Sequence, residues 1–266
     1  MQAWVRWLSD EKELAPRTVR ESFRIFSSIL REAVEQHLIS ESPSRGVNLP
    51  RVRDSERLFL STDEVRTLAS TIDPRFEGFV YAGAYLGLRW AEMGGLLRKN
   101  LDLLERRIKV VGSLERFRGG NRYVEDTKST ASRRVVPVPL FLVEILTQHL
   151  TRVPVSDWVF PAPKGGHLSY SGFRSRFWVP AVERVGLGNV TPHALRHTAA
   201  AIMIDQGADP LQVQRRLGHK DISTTLRIYG HLFPERDEEL TQRLDRAYRR
   251  AAAAPPRPAI ELQESG

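Results

Sequence analysis

At 266 residues the chain is long enough for one large domain or a medium domain with a small companion, and its 40 lysines and arginines against 32 aspartates and glutamates leave a formal charge of +8. A pI of about 10.1 suggests a polyanionic partner such as nucleic acid, although it also fits many solvated surfaces, and the lack of cysteine excludes disulfides and agrees with a reducing cytosol. No apolar run approaches a membrane span and no signal-peptide pattern opens the chain, so the expectation is a soluble, cytoplasmic protein with no membrane partner.

Met1 to Leu14 suits a short helix built on Trp4, Val5, Trp7 and Leu8. Thr18 to Ile39 suits a long amphipathic one with Val19, Phe23, Phe26, Ile29, Leu30, Ala33 and Val34 on its apolar side. Pro43, Gly46 and Pro50 then break the pattern, and the arginine-rich stretch 43–57 reads as a basic linker. A second region opens with Ser61 or Thr62 as a helix cap and Glu64 in the first turn, followed by Glu77 to Leu97 as a largely buried helix or helix pair. Arg107 to Val111, Asn121 to Asp126 and Arg133 to Pro139 look like three short strands, the last two joined by the polar turn Thr127 to Ser132. Helical patterns resume at Leu140 and run to about Arg250, and the tail 251–266 offers little to bury and is expected to be disordered. The fold class expected is mainly α with a small antiparallel β-sheet (α+β).

Within the last helical region, Thr191 suits a cap and Pro192 a first helical position, so a helix is expected from there to near Gly207, with Leu195, Ala199, Ile202 and Met203 on its apolar face. His193, Arg196 and His197 stand three and four residues apart at its start, where free backbone N–H groups and the helix dipole favour anions. A zinc reading has the His spacing, but Ala194 stands where a zinc protease needs Glu, and no motif supplies further ligands. A phosphate clamp is the other functional reading, against basic residues placed there by chance.

Further polar residues interrupt apolar patterning. Arg89 lies inside an apparently apolar helix, with Glu92 three residues on as its nearest anion. Lys128 lies in a strand turn, where solvation alone would explain it; His219 follows Gly218, a helix-ending residue; and Tyr229 has the look of half-buried packing.

Taken together and in order, Arg89 in GLRWAE, Lys128 in DTKSTASRRVVPVP, HALRHT, LGHKDISTT and Tyr229 in RIYGHL resemble the tyrosine recombinases, the phage integrase family, over Trp4 to about Phe233. The resemblance implies a tyrosine recombinase catalytic domain over 58–250 and a partial helical core-binding domain over 1–42 that grips the other face of DNA. The first 50 or so residues resemble only the later part of that core-binding domain, so the chain is expected to begin within it, with Trp4, Trp7 and Phe23 short of burial partners and DNA binding weakened. The implied activity is site-specific breakage and rejoining of double-stranded DNA through a 3′-phosphotyrosyl ester, without metal, ATP or other cofactor, in the integration or excision of a mobile element. Arg89 and Arg196 would hold the phosphate, Tyr229 attack it, His193 act as base, Lys128 protonate the departing 5′-oxygen and His219 hydrogen-bond the phosphate. Glu92 would orient Arg89, His197 support the site structurally, and His231 stays unassigned. The working unit implied is a homotetramer on paired DNA sites in the nucleoid, with accessory DNA-bending or directionality proteins, and residues 231–250 resemble the helix that docks on a neighbouring protomer. A type IB topoisomerase and a DNA-binding module without catalysis are the rival readings.

Overall fold

The computed structural model describes residues 1–52, 59–117, 120–125, 133–234 and 237–253, which fall into two units, 1–56 and 57–266. In the first unit, α1 (Gln2–Arg6) runs into a π-helical segment, Trp7–Glu11, and α2 (Pro16–Glu35) starts on a proline whose missing N–H costs nothing at a helix start. Val5, Leu8 and Val19 are buried, with Trp4, Leu14, Phe23, Val47 and Leu49 packed around them. The Gln2 side-chain amide pairs with the Asn48 backbone in both directions, at 3.1 and 2.9 Å, so the early part of the stretch read as a linker lies against this unit. Trp4 and Phe23 therefore have burial partners after all. Trp7 is open to solvent, with the Lys12 ammonium 5.0 Å from its ring centre. Phe26 and Ile29, expected on the apolar side of α2, are also exposed, because the packed residues occupy only half of that side.

In the second unit, α3 (Thr62–Thr71) opens on a reciprocal capping box, the Glu64 N–H donating to Ser61 Oγ and the Ser61 N–H to Glu64 Oε2. The apolar stretch that follows is a helix pair, α4 (Glu77–Leu86) and α5 (Trp90–Gly94), broken where Gly87 turns left-handed at φ 68°. Arg89 is thus not inside a helix: its backbone is extended and it caps α5.

β1 (Leu101–Asp102) and β2 (Arg107–Val110) precede a separate hairpin of β3 (Ser113–Phe117) and β4 (Gly120–Val124), and β5 (Arg134–Pro137) returns to pair with β2. All pairings are antiparallel, with Ile108 opposite Val136. The 133–139 strand accordingly pairs with β2 and not with the 121–126 strand, because Ile108, Val110 and Val136 share one buried face. β3 was not expected from the sequence; Leu114 is its buried side chain, and it supplies the partner of β4.

The remaining helices are α6 (Leu140–Arg152), α7 (Tyr170–Phe173) continued by a π-helical segment Arg174–Trp178, α8 (Val179–Arg184), α9 (Ala194–Asp205), α10 (Pro210–Leu217), α11 (Ile222–Tyr229) and α12 (Asp237–Ala253). Phe76, Phe79, Phe160, Phe173 and Trp178 interlock in the main core, with Phe173 centred 4.9 Å from both Phe76 and Phe79. α4 packs extensively on α9, and Ala200, Ile204, Val213, Leu217 and Tyr229 form a second cluster joining α9, α10 and α11. Residues 191–193 make a tight turn, the Ala194 N–H donating to the Thr191 carbonyl at 2.9 Å, so α9 begins at Ala194 with His193 at the cap position, two residues later than the sequence suggests. Among the described residues no helix is long and apolar enough to cross a membrane.

Candidate active site

Four chain segments meet at one edge of the second unit: the α4–α5 break, the start of α9, the end of α10 and the end of α11. Arg196 reaches the backbone two residues before Arg89, and both arginines are anchored on adjacent carbonyls at the end of α10. Arg196 donates from Nη1 to the Gly87 carbonyl (2.6 Å) and from Nη2 to the Leu217 carbonyl (2.7 Å). Arg89 donates from Nη2 to the Gly218 carbonyl (3.0 Å) and from Nη1 to Glu92 Oε1 (2.8 Å). The accepting carbonyls lie where α4 and α10 end, and helix C-termini carry partial negative charge that favours cations. Gly218, like Gly87, is left-handed (φ 67°), and the turn it makes aims its carbonyl at Arg89.

Arg196 is buried, and burial, followed by repulsion from Arg89, pushes its pKa down to about 9, so it stays protonated at neutral pH. The Arg89 side chain is 38% exposed and is the part of the pair that solvent reaches. Behind both sits Glu92, which also receives a two-pronged bond from Arg134 of β5, at 3.0 and 2.8 Å. Burial by itself would raise the Glu92 pKa; the hydrogen bonds from Arg134 and the charges of Arg134 and Arg89 overcome it and hold the pKa at about 2. Arg134 was not singled out from the sequence. The available signal was its period-two partner Val136, a buried residue, which puts a charge on the inward face of a strand.

Tyr229 ends α11 with its ring buried in the second cluster, and His197 Nδ1 lies 2.9 Å from its Oη. The His193 ring meets His197 edge to face, centroids 4.9 Å apart at 88°. The His219 ring stacks on the Tyr229 ring, centroids 6.4 Å apart and planes 8° from parallel, with Nδ1 paired to the buried Thr225 hydroxyl at 2.8 Å. Burial first, then the positive charges of Arg196, Arg89 and Arg134, lower the His219 pKa to about 4. Desolvation, followed by the same two clamp arginines, lowers that of His193, whose residue is otherwise solvent-exposed. The His219 imidazole is therefore neutral at pH 7.

Of the residues picked out in the sequence, Arg89, His193, Arg196, His219 and Tyr229 are brought together, while Lys128 lies outside the described residues. Among the described residues no group of three His, Asp or Glu side chains could hold a metal ion, and the His193–His197 spacing gains no third ligand. The site offers two fixed guanidinium groups, imidazoles and a phenol, an arrangement suited to a phosphodiester.

A model of the phage integrase family matches residues 58–236. The chain belongs to the phage integrase family. As an integrase-family protein it is 27% identical over 261 residues to the tyrosine recombinase XerD of Vibrio cholerae, covering 90% of this chain and 78% of that one. It is 26% identical over 252 residues to the integrase of Mycobacterium phage D29, covering 92% of this chain. The chain spans 65% of the length of the phage D29 integrase and of the putative prophage phiRv2 integrase of Mycobacterium tuberculosis. In fold this integrase-family chain is similar to the Tn1549 transposon integrase solved with circular intermediate DNA, with a TM-score of 0.78 at 19% identity over 92% of this chain and 84% of that one. It is also similar to a lambda integrase dimer bound to a COC′ core site, with a TM-score of 0.61 at 17% identity over 84% of this chain and 78% of that one.

Proposed function

We propose that the chain is a site-specific DNA recombinase of integrase type, cutting and rejoining DNA through a covalent 3′-phosphotyrosyl intermediate in the integration or excision of a mobile element. The observation that carries this reading is the crossed anchoring of Arg89 and Arg196 beside the Tyr229 phenol. A phosphodiester repels a nucleophile by its own charge. Two guanidinium groups held from behind by carbonyls and a carboxylate are ready for the nonbridging oxygens, and need no reorganisation as charge builds. The Tyr229 oxygen attacks phosphorus, the bond to the 5′-oxygen breaks, and the phosphotyrosyl ester conserves the energy for rejoining, so no nucleotide cofactor is required.

His219, neutral and bound through Nδ1 to Thr225, is suited to donate from Nε2 to the phosphate. Lys128 is proposed to protonate the departing 5′-oxygen. A free phenol has a pKa of about 10 and is ionised in only about one molecule per thousand at pH 7, so its proton must go to a base; the family resemblance points to His193.

The partner is proposed to be double-stranded DNA, the Tn1549 transposon integrase having been solved with circular intermediate DNA, and the working unit a homotetramer on paired sites, assisted by accessory DNA-bending or directionality proteins. α12 supports this: Leu240, Leu244 and Tyr248 form an exposed stripe at helical spacing, suited to docking on a neighbouring protomer. Residues 1–42 are proposed as a helical core-binding unit, 43–57 as the basic linker, 58–250 as the catalytic domain and 251–266 as the tail. Arg17, Arg20, Arg24 and Arg31 are exposed along one side of α2 and would add salt-sensitive phosphate contacts. A nicked duplex carrying a junction of the encoding element tests the assignment. The chain is expected to be trapped as a denaturant-resistant DNA adduct and the Tyr229→Phe variant to bind without forming it; an adduct with the Phe variant would remove Tyr229 as nucleophile.

A further inference from the structure

We propose that His197 is the base of the cleavage step, accepting the Tyr229 phenol proton on Nδ1. This rests on reading Tyr229 as the nucleophile, and it moves the proton from His193 to the imidazole that the phenol touches. His197 Nδ1 and Tyr229 Oη are 2.9 Å apart, and the two rings meet edge to face, with centroids 5.8 Å apart at 62°. Both partners are fixed from behind. Tyr229 is packed into the Ala200–Ile204–Val213–Leu217 cluster, and His197 is walled by the His193 ring at 4.9 Å and the Phe59 ring at 6.4 Å. Consecutive residues at the start of α9 thus address the two halves of the reaction, Arg196 through the crossed clamp and His197 through the phenol.

Among the described residues, the titratable and charged groups near His197 include His193 from the turn before α9, Tyr229 from α11, His219 from the loop after α10, His231 beyond Phe59, and Arg196 on its own helix. His193 presents its ring to His197 and buttresses it. In the step itself, His197 with Nδ1 unprotonated takes the Oη proton as the Oη–P bond forms and the P–O5′ bond breaks, and the 5′-oxygen receives its proton from Lys128. On rejoining, the 5′-hydroxyl attacks and gives its proton back to the Lys128 amine, the Oη–P bond breaks and the His197 imidazolium returns its proton to the phenol oxygen.

The test compares single-turnover cleavage of the nicked duplex by the full chain, His197→Asn and His193→Asn, each carrying either tyrosine or 2,3-difluorotyrosine at position 229. Fluorination acidifies the phenol and lessens the need for a base. His197→Asn is expected to cut about 10²-fold slower with tyrosine and to regain about tenfold with the fluorinated phenol, its rate climbing with pH as phenolate forms, while His193→Asn regains nothing. A His197→Asn defect equal with both phenols, a wild-type rate in that variant, or recovery confined to His193→Asn would each overturn the proposal. Nitrogen-15 NMR of histidine in the unsubstituted chain gives an answer that needs no variant to fold: His197 is expected as the Nε2–H tautomer, and an Nδ1–H tautomer donating to the phenol overturns the assignment. Adduct formation by Tyr229→Phe would instead mean that the nucleophile itself had been misassigned.

Discussion

Arg134 and Glu92, 42 residues apart in sequence, meet fork to fork, Nη2 to Oε2 at 2.8 Å and Nη1 to Oε1 at 3.0 Å. Arg134 Nε also donates to the Arg216 carbonyl at 2.8 Å, so one buried guanidinium ties β5 to the carboxylate behind Arg89 and to the last turn of α10. Removing one partner of a buried pair leaves an under-compensated charge, which typically costs about 3–5 kcal/mol. Arg134→Ala is expected to lower unfolding stability by about that amount in a urea titration. A loss under about 1 kcal/mol would show that Glu92 does not need this partner.

Glu92 also gives the protein an acid limit. Its folded pKa, about 2, lies below the unfolded value near 4.5, so its contribution is fully present above the unfolded pKa and is lost as pH falls from about 4.5 towards 2. The shift corresponds to about 3 kcal/mol. Glu92→Gln is expected to be less stable at pH 7 and to lose less than the unsubstituted chain over that acid window; parallel stability curves for the two would remove Glu92 from the acid response.

Arg196→Ala is expected to slow single-turnover cleavage by about 10²- to 10³-fold, the size of effect seen when one donor to a developing oxyanion is removed. Arg196→Lys keeps the charge but cannot reach the Gly87 and Leu217 carbonyls as a planar fork, so most of the rate should be lost there too. An unchanged cleavage rate in either variant takes Arg196 out of the clamp.

Chelation should leave cleavage intact, because the cations proposed to meet the phosphate are side chains. Loss of cleavage in EDTA, restored by added magnesium, would place the chemistry in a metal-dependent nuclease class.

The sequence made the helical elements legible where caps and periodicity agree, as at Ser61 and Glu64, and motif order brought out Arg89, Arg196 and Tyr229. Elements whose partners are distant in sequence were not legible. Arg134 looks like a surface residue of a short strand until β5 is known to lie beside Glu92, and β3 carries a polar pattern whose meaning comes only from its pairing with β4. Arg89 was read inside a helix because apolar residues continue on both sides of it, and the break depends on one backbone angle at Gly87. The local motif around His197 says nothing about α11, which brings the phenol to it from 32 residues away.

That backbone angle yields the sharpest packing test. Gly87 has φ 68°, and a Cβ built on it would stand 2.5 Å from Leu217 Cδ2 and 3.3 Å from Ala199 Cβ, both on fully buried residues. Gly207, just past α9, has φ 83° and a Cβ there would meet nothing, so alanine at that position isolates the left-handed strain, about 1–2 kcal/mol. Gly87→Ala carries the same strain plus overpacking of about 1–3 kcal/mol. It also displaces the carbonyl that orients Arg196 and the turn that presents Arg89. Gly87→Ala is therefore expected to be less stable than Gly207→Ala, and to lose cleavage at temperatures where both remain folded, while Gly207→Ala cuts at close to the unsubstituted rate. Equal stability and equal cleavage in the two variants would mean that Leu217 yields without cost and that the Gly87 turn does not set the clamp.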